Sequence, residues 1–363
     1  MKILHVGVHE NANRNSGDTV LFEMVRQAFN FLGDNDIEWH KRQVWQAVSE
    51  NDVRHINNEY DAIVIGGGGL LLKDQKGADA SASGWQWNCS LSALKSISVP
   101  IIVFAIGYNR FREQDNFLSI FDEHINTLIN QSIFFSVRNH GSIEKLKTHV
   151  APNLISKIKK QSCPTTIISC LNSNWSNKQN PNVRRVAINA AFDRIELRLA
   201  NKKDQSLKKF NSIIDLLKED NYDPVIVAHK QDDLQVIEFL DKHNQNIEIF
   251  NLTDMAFNDV IDFYTSVCLS IGMRGHSQMI PLGMRIPIFS IITHDKMRYL
   301  LEDINQPKWG AELSSDSFID VFNAYLKNLN KNKSQVDDDI DIVVNSLFHE
   351  TDKNIKTAVR SIK

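Results

Sequence analysis

The chain has 363 residues, of which 42% are hydrophobic and 23% charged, and its formal net charge at pH 7 is -3. This length exceeds what one hydrophobic core usually supports, so we expect two domains. Acidic and basic residues are interspersed, which argues against the basic face that nucleic acid would require as a partner. No stretch reaches the ~20 apolar residues of a membrane helix, and the N-terminal apolar segment is shorter than that of a signal peptide, so the expected location is the cytoplasm or the inner face of the membrane.

In the first part of the chain, apolar runs alternate with helical patterns, which is typical of βαβ units in a parallel sheet. The expected strands are Ile3–Val8, Ile37–Arg42, Ala62–Ile65, Ile101–Ile106, Ile133–Val137 and Thr166–Ser169. Helices are expected between them, for example at Val20–Phe31 and Phe117–Ile129. A polar segment rich in turn-forming residues, Asn172–Asn182, then interrupts the alternation and is the predicted linker.

The same alternation restarts after the linker. The expected strands are Arg185–Ala191, Pro224–Ala228, Ile247–Phe250, Val267–Ile271 and Ile286–Ile291, with helices that include Leu207–Leu217 and Leu234–Leu240. From about Ser314 only helical patterns follow, including Phe318–Leu329 and Ile340–Leu347, and the run Asp337–Asp339 is predicted to cap a helix start. The sequence therefore predicts an α/β protein with two Rossmann-like, doubly wound domains, residues 1–172 and 183–313. C-terminal helices, residues 314–363, are expected to pack back on the N-terminal domain.

Ligands of doubly wound sheets bind beyond the carboxyl ends of the strands, so the loops after the strands are the candidate sites. The first loop contains Asn15, Gly17 and Asp18 just before a helix, which favours an anion at the free N–H groups. The alternative is a plain N-cap by Ser16 or Asp18.

The second loop carries four consecutive glycines, Gly66–Gly69, which suit a ligand packed closely on the backbone. The run fits neither a dinucleotide fingerprint nor a P-loop, so both of those classes are disfavoured. Downstream, Trp85 and Trp87 lie among small polar residues, where they stack on sugar rings or pack the loop.

The third and fourth loops carry basic residues. In the third, Arg138 either reaches the ligand or pairs with a carboxylate, and Asn139 or Ser142 caps the next helix. In the fourth, Arg274 offers a planar fork for an anion, and His276 can exchange a proton near neutral pH. The following loop, residues 293–298, adds further cationic and imidazole side chains. No acidic or histidine cluster has metal-ligand spacing there, so no metal is expected. The loop also lacks a Gly-x-Ser-x-Gly nucleophile elbow.

Taken in order, these segments resemble the polysaccharide pyruvyl transferase family. The matching segments are Asn15–Asp18, Gly66–Gly68, Phe104–Gly107, Val137–Ser142, Met273–His276, Gly283–Pro287 and Asp295–Lys296. The chain departs from the usual family residues at Asn139, Cys163 and Gly275. The resemblance implies a GT-B-like architecture and transfer of a pyruvyl group from phosphoenolpyruvate to a sugar as a cyclic ketal, with release of phosphate.

The resemblance also implies roles for individual residues. The catalytic residues would be His276 as general acid, Arg274 and Asp18, and a variant Arg274→Ala is expected to lose turnover with little loss of folding. The donor would be bound by Arg274, His276, Arg194, Lys296 and Arg298. The acceptor would be bound by Asn15, Gly17, Gly67, Gly68, Trp85, Trp87 and Arg138.

Phosphoenolpyruvate would act as a co-substrate, with no cofactor besides it. The acceptor would be a sugar of a cell-surface polysaccharide or of its lipid-linked precursor. Two alternatives remain open at this point. One is a sugar-nucleotide-dependent glycosyltransferase of the same architecture, and the other is a non-catalytic carbohydrate-binding homologue.

Overall fold

The structure is a computed structural model that describes residues 1–9, 15–33, 36–74, 78–111, 114–176 and 183–362. Its contacts divide the chain into two compact units. Unit 1 comprises residues 1–13, 21–164 and 349–363, and unit 2 comprises residues 14–20 and 165–348. These limits differ from the predicted ones, because residues 14–20, 165–172 and 314–348 group with unit 2. Residues 177–182 of the predicted linker lie outside the described residues.

Unit 1 contains a parallel six-stranded sheet with the strand order β2-β1-β3-β4-β5-β6. The strands are β1 (Lys2–Gly7), β2 (Glu38–Gln43), β3 (Ala62–Leu71), β4 (Ile101–Tyr108), β5 (Ser132–Val137) and β6 (Ile158–Lys160). Five of the six predicted strands are confirmed. The sixth prediction, Thr166–Ser169, is wrong, because Pro164 opens a 3-10 helix there, and the short edge strand β6 takes its place.

Among the described residues, five α-helices connect these strands in chain order. They are α1 (Ser16–Leu32), α2 (Glu50–Glu59), α3 (Leu91–Ser96), α4 (Ile120–Gln131) and α5 (His140–Leu146), with a 3-10 helix at Pro152–Lys157. The Asn139 side chain caps α5 by accepting a hydrogen bond from the Ser142 backbone N–H at 2.7 Å, which is one of the two predicted caps. One hydrophobic core of unit 1 packs a face of β1, β3, β4 and β5 against α2, α3, α4 and α5.

Strand β3 does not end at Ile65 as predicted but continues through the four glycines. A Cβ atom added to Gly66 would lie 2.4 Å from the carbonyl oxygen of Phe104 on β4, so only glycine fits the observed spacing. Gly67 and Gly68 have φ angles of 77° and 96°, a region that side chains rarely adopt. Their backbone shifts the register with β4 between Gly68 and Leu71. The glycine run is therefore built into the sheet itself.

Unit 2 contains the second parallel six-stranded sheet, with the strand order β12-β11-β10-β7-β8-β9. The strands are β7 (Arg185–Asn189), β8 (Asp223–Ala228), β9 (Glu248–Asn251), β10 (Leu269–Gly272), β11 (Ile288–Ile292) and β12 (Gly310–Glu312). The first five confirm the predicted strands, and the three-residue strand β12 was not predicted. This is the doubly wound order in which the direction of strand addition reverses between the two central strands, here β7 and β10.

The remaining helices follow in chain order. They are α6 (Ile168–Leu171), α7 (Ile195–Leu199), α8 (Lys203–Glu219), α9 (Phe257–Thr265), α10 (His276–Gly283), α11 (Asp295–Asp303), α12 (Phe318–Lys331) and α13 (Lys333–Arg360), with 3-10 helices at Pro164–Ile167, Ser173–Trp175, Ala200–Lys202, Gln231–Phe239 and Lys242–Asn244. The helix predicted at Leu234–Leu240 is thus largely a 3-10 helix. Helix α13 begins at Lys333, so Asp337–Asp339 lie inside it and do not cap its start.

The last part of α13 belongs to unit 1. There Glu350 accepts a hydrogen bond from the Ser162 backbone N–H at 2.8 Å and pairs with Lys160, and the Gln161 side chain donates to Thr351 at 2.9 Å. These contacts join the C-terminal residues to the segment that follows β6. No helix among the described residues combines the length and the apolar character that crossing a bilayer would require.

Candidate functional site

Arg274 follows β10 directly, at the point in unit 2 where strand addition reverses. Its backbone N–H donates to the Asn189 side chain on β7 at 3.2 Å, which fixes the start of the loop. Arg274 is 9% exposed, and its guanidinium group donates to the Asp233 carboxylate through Nε at 2.7 Å and Nη2 at 2.5 Å. Nη2 also lies 2.8 Å from Asp193 Oδ1, an ion-pair distance. The structure thus places the predicted anion-binding arginine between two carboxylates.

Asp233 holds the fork of Arg274 in place. Its side chain is fully buried, in the 3-10 helix that follows β8. Besides Arg274, its Oδ2 accepts hydrogen bonds from the Asn189 amide at 3.1 Å and from the backbone N–H groups of His229 and Lys230 at 3.1 and 3.2 Å. A buried carboxylate with this many donors is well satisfied, so it can orient a guanidinium precisely.

The second carboxylate, Asp193, lies in the loop after β7 and is less buried, with a side chain 31% exposed. Arg198 on α7 donates to it from Nη2 at 3.1 Å and to its backbone carbonyl from Nε at 2.9 Å. The Arg198 side chain is 1% exposed. Two arginines therefore converge on Asp193 from neighbouring strand-end loops.

The charges of this cluster shift the ionisation of its members. Burial raises the pKa of Asp193, but the positive charges of Arg274 and Arg198, with Lys296 and Lys230, outweigh it and hold that pKa well below its usual range. Burial lowers the pKa of Arg274, yet Asp233 and Asp193 raise it further above its usual value. Asp193 and Arg274 are therefore both charged at neutral pH, and cationic side chains outnumber carboxylates around Asp193.

The predicted residues at the start of α1 lie beside His276. Asn15 accepts a hydrogen bond from the Gly17 N–H at 3.1 Å and donates to the Asp18 carboxylate at 2.9 Å, so it is Asn15 that caps the helix. The Nδ1 atom of His276 lies 3.9 Å from Asp18 Oδ1. A Cβ atom on Gly17 would lie 2.5 Å from that nitrogen, so this contact requires glycine. The predicted acid and its carboxylate neighbour are thus brought together.

A buried histidine connects this loop with the arginine cluster. The Ser16 backbone N–H donates to the His229 carbonyl at 3.2 Å, and the Ser16 hydroxyl lies 3.1 Å from His229 Nδ1. The other ring nitrogen lies 2.7 Å from the Tyr264 hydroxyl. Burial lowers the pKa of His229 to about 3, so the ring is neutral and serves as a fixed hydrogen-bonding group.

The other predicted donor residues lie around this cluster. The charge of Lys296 acts on Asp193, while its backbone N–H donates to His294, the cap residue of α11. Arg194 precedes α7 with a φ angle of 56°, in the left-handed region. Arg298 pairs with Glu312 on β12 and lies 3.7 Å from Asp295. Arg298 is therefore engaged in surface ion pairs in this structure.

Several residues predicted for the acceptor lie in unit 1. Gly67 and Gly68 form the bulged part of β3, and Arg138 is 8% exposed beside Gly107 of β4. Trp85 and Trp87 are 0% and 1% exposed and belong to the hydrophobic core. The proposed stacking of these indoles on a sugar is therefore corrected to the packing alternative, because neither ring face is open to a ligand.

Five contributors to the site were missed at the sequence level, and all lie after strands of unit 2. They are Asp193, Arg198, His229, Lys230 and Asp233. The available signal was the polar run that follows the predicted strand Pro224–Ala228, since a strand next to β7 brings its end to the same edge of the sheet. Among the described residues, no three His, Cys, Asp or Glu side chains are grouped so as to hold a metal ion.

Two Rossmann-like units, one with an arginine–aspartate cluster at the reversal of strand order, define an α/β protein of the GT-B-like class. Solved structures share this fold. A putative UDP-N-acetylglucosamine 2-epimerase from Listeria monocytogenes is 12% identical over 93% of this chain and 90% of that one, with a TM-score of 0.55. MnaA of S. aureus, solved with UDP, is 12% identical over 99% and 94% of the two chains, with a TM-score of 0.52.

The sequence itself identifies the family. The model of the polysaccharide pyruvyl transferase family matches residues 16–295, well over half of the chain, so the protein belongs to that family. No curated protein matches the chain at a significant level.

Proposed function

We propose that this protein transfers a pyruvyl group from phosphoenolpyruvate to a sugar of a polysaccharide or of its lipid-linked precursor. The product would be a cyclic ketal, and phosphate would be released. Family membership supports a transferase acting on polysaccharide. The observation that carries the donor assignment is Arg274, fixed by Asp233 at the strand-order reversal of unit 2, in the same unit as His276 and Asp18. The proposed place of action is the cytoplasm, at the inner face of the membrane if the acceptor is lipid-linked.

The chemistry requires a proton donor and anion-binding groups. One sugar hydroxyl adds to C2 of phosphoenolpyruvate while C3 takes up a proton and becomes a methyl group. The second hydroxyl then forms the other C2–O bond as the C–O bond to phosphate breaks. Of the two hydroxyl protons, one balances the proton gained by C3 and the other leaves with phosphate. His276 would protonate C3, and Asp18 would receive a hydroxyl proton or orient the sugar.

The cationic cluster would bind the carboxylate and phosphate of the donor. Asp233 holds Nε and Nη2 of Arg274, so the guanidinium would meet the donor with its remaining Nη1–Nη2 edge, and charge-assisted contacts of this kind contribute about 1.5–3 kcal/mol each. Lys230 joins the predicted Lys296 and Arg194 as a candidate donor contact, because its charge also acts on Asp193. Asn15, Gly17, Gly67, Gly68 and Arg138 remain proposed for acceptor binding.

The test is to incubate the protein with phosphoenolpyruvate or with UDP-sugars, each with glycan acceptors, and to measure the product released. Acceptor-dependent release of inorganic phosphate would support the proposal. Release of UDP would instead support a glycosyltransferase, and glycan binding without either product would support a non-catalytic homologue.

A variant of Arg274 sharpens this test. Arg274→Ala is no longer expected to fold normally, because it would leave Asp233 buried without its guanidinium partner. Arg274→Lys keeps the charge but loses the fork, so we expect phosphate release to fall by about tenfold or more while the protein remains folded. The matched control is Asp232→Asn, an exposed neighbour of Asp233, which should release phosphate at the rate of the unaltered protein. An unchanged rate in Arg274→Lys would remove Arg274 from the donor site.

A further inference from the structure

The two carboxylates that contact Arg274 differ in how they are held. Asp233 is fully buried and accepts hydrogen bonds from two backbone N–H groups and from Asn189 as well as from the guanidinium. Asp193 is 31% exposed, and its carboxylate contacts only the guanidinium groups of Arg274 and Arg198 among the described residues. Asp233 therefore belongs to the fixed framework of the site, whereas Asp193 is held only by the cations themselves.

The contacts of Asp193 are those of a bound anion. One carboxylate oxygen, Oδ1, lies 2.8 Å from Arg274 Nη2, and the other, Oδ2, lies 3.1 Å from Arg198 Nη2. A carboxylate or phosphate ligand bridges two arginines in the same way. The loop that carries Asp193 follows β7, and the loop that carries Arg274 follows β10. These are the two strand ends between which ligands of doubly wound sheets bind.

The local charge also favours an added anion. Arg198, Arg274, Lys230 and Lys296 all act on Asp193, while Asp233 is the other carboxylate that contacts Arg274. The charge of Asp18 also acts on Arg274, so four cationic groups face three carboxylates. If the Asp193 side chain turned away, Arg274 and Arg198 would each lose one carboxylate contact. A ligand with at least two negative charges could replace both contacts.

We infer that Asp193 occupies the place of an anionic group of the donor and is displaced when the donor binds. Asp193 then lowers the affinity for the donor, because its carboxylate competes with the donor for Arg274 and Arg198. This inference rests on the proposed function, because it takes phosphoenolpyruvate as the ligand of the cluster.

The competition predicts tighter binding when the carboxylate is removed. In Asp193→Asn, phosphoenolpyruvate should bind about tenfold more tightly than in the unaltered protein, because it no longer replaces a charge-assisted contact. Asp193→Ser removes the carboxylate by a different substitution and should shift the affinity in the same direction. Asp193→Glu keeps a competing carboxylate and should not bind more tightly.

The measurement is isothermal titration calorimetry with phosphoenolpyruvate, and separately with inorganic phosphate. Asp232→Asn is the matched control, since it removes one negative charge from an exposed position without touching either arginine. Its affinity should stay within about twofold of the unaltered protein, because exposed charges are strongly screened. In steady state, the KM for phosphoenolpyruvate should fall in Asp193→Asn without a rise in kcat.

The outcomes separate this inference from the proposed function. Tighter binding in Asp193→Asn and Asp193→Ser, but not in Asp193→Glu or Asp232→Asn, supports the inference. Equal or weaker binding in both neutral variants, in a protein that binds phosphoenolpyruvate and releases phosphate, overturns the inference alone and makes Asp193 a structural partner of the arginines. If phosphoenolpyruvate binds neither the unaltered protein nor any variant, the proposed function fails and the inference with it.

Discussion

At the reversal of strand order in unit 1, β3 continues into four glycines, whereas the equivalent edge of unit 2 carries paired charges. Gly66 is in close contact with the backbone of β4, and the next two glycines have positive φ angles. In unit 2 the corresponding loops bring Arg274 between Asp233 and Asp193. Both units contain a parallel six-stranded sheet. The local structure in unit 1 depends on glycines, which have no side chain, whereas that in unit 2 depends on paired charges. Added side-chain volume should therefore destabilise the glycine segment of unit 1, and removal of a charge should destabilise the cluster of unit 2.

The largest expected effect is on the charged side of this comparison. Asp233→Ala removes the fully buried partner of Arg274 and should lower the free energy of unfolding by about 3–5 kcal/mol. Urea-induced unfolding measures the change. Asp232→Ala, at the exposed neighbouring position, should stay within about 0.5 kcal/mol of the unaltered protein. Equal effects of the two substitutions would show that Asp233 is not the structural support of Arg274.

The glycine side should respond to the addition of one methyl group. Gly66→Ala would place a Cβ atom 2.4 Å from the Phe104 carbonyl oxygen, so β3 and β4 must move apart, at a cost of about 1–3 kcal/mol. Gly69→Ala meets the Asn109 side chain at 2.8 Å, which can rotate away, and should cost less. Thermal unfolding of the two variants compares them directly. A larger loss in Gly69→Ala would contradict the close approach at Gly66.

Acid should destabilise both units through buried histidines. Burial lowers the pKa of His5 and His229 to about 3 and that of His124 to about 4. As the pH falls below about 6.5, the unfolded chain protonates these rings while the folded protein keeps them neutral. Each ring therefore lowers the free energy of unfolding by up to about 1.4 kcal/mol per pH unit, until its folded pKa is reached.

A histidine variant checks this sign. His124→Gln should flatten the decline of unfolding free energy between about pH 6.5 and pH 4, measured by urea unfolding at several pH values. Two of these three rings, His5 and His124, lie in unit 1, so most of the pH dependence that they cause should arise there. An unaltered slope in His124→Gln would show that the His124 ring takes up protons equally in the folded and the unfolded protein.

The smallest effect concerns a departure from the family pattern. Gly275 precedes α10 with an ordinary helical φ angle of -56°, and an added Cβ atom would meet nothing closer than the Met279 side chain at 3.8 Å. Gly275→Ala should therefore stabilise the protein by about 0.4–1 kcal/mol, by restricting the unfolded chain. A rise in the melting temperature would confirm that glycine is not required there. A fall would show that the loop depends on glycine.

The sequence predicted most of the fold, because buried parallel strands leave long apolar runs between helical patterns. Ten of the eleven predicted strands coincide with observed ones, whereas β6 and β12 were missed because three residues are too few to show a pattern. Residues Thr166–Ser169 were misread as a strand, since their apolar and β-branched side chains suit both a strand and the 3-10 turn that Pro164 opens.

The site was predicted less completely, for a physical reason. Arg274 and His276 stand next to each other at a strand end, so local sequence could find them. Their partners come from other strands, and no local pattern relates Arg274 to Asp233, 41 residues earlier in the chain. The burial of Trp85 likewise depends on packing against His124 of α4, to which its indole N–H donates at 3.1 Å. Of the two alternatives for Trp85, stacking on a sugar or packing, tertiary contacts determine that it packs.

The short segment at the start of α1 has a consequence for exchanging parts between relatives. Unit 2 draws residues 14–20 from far outside its main segment, and within them Ser16 contacts His229 and Gly17 adjoins His276. A chimera that replaced only residues 165–348 would take His276 and its surroundings from the relative but keep the Gly17 loop of this chain. Recombination of two relatives at the linker would therefore take Ser16 and Gly17 from one parent and the residues they contact from the other. A functional chimera needs residues 14–20 and 165–348 from the same parent.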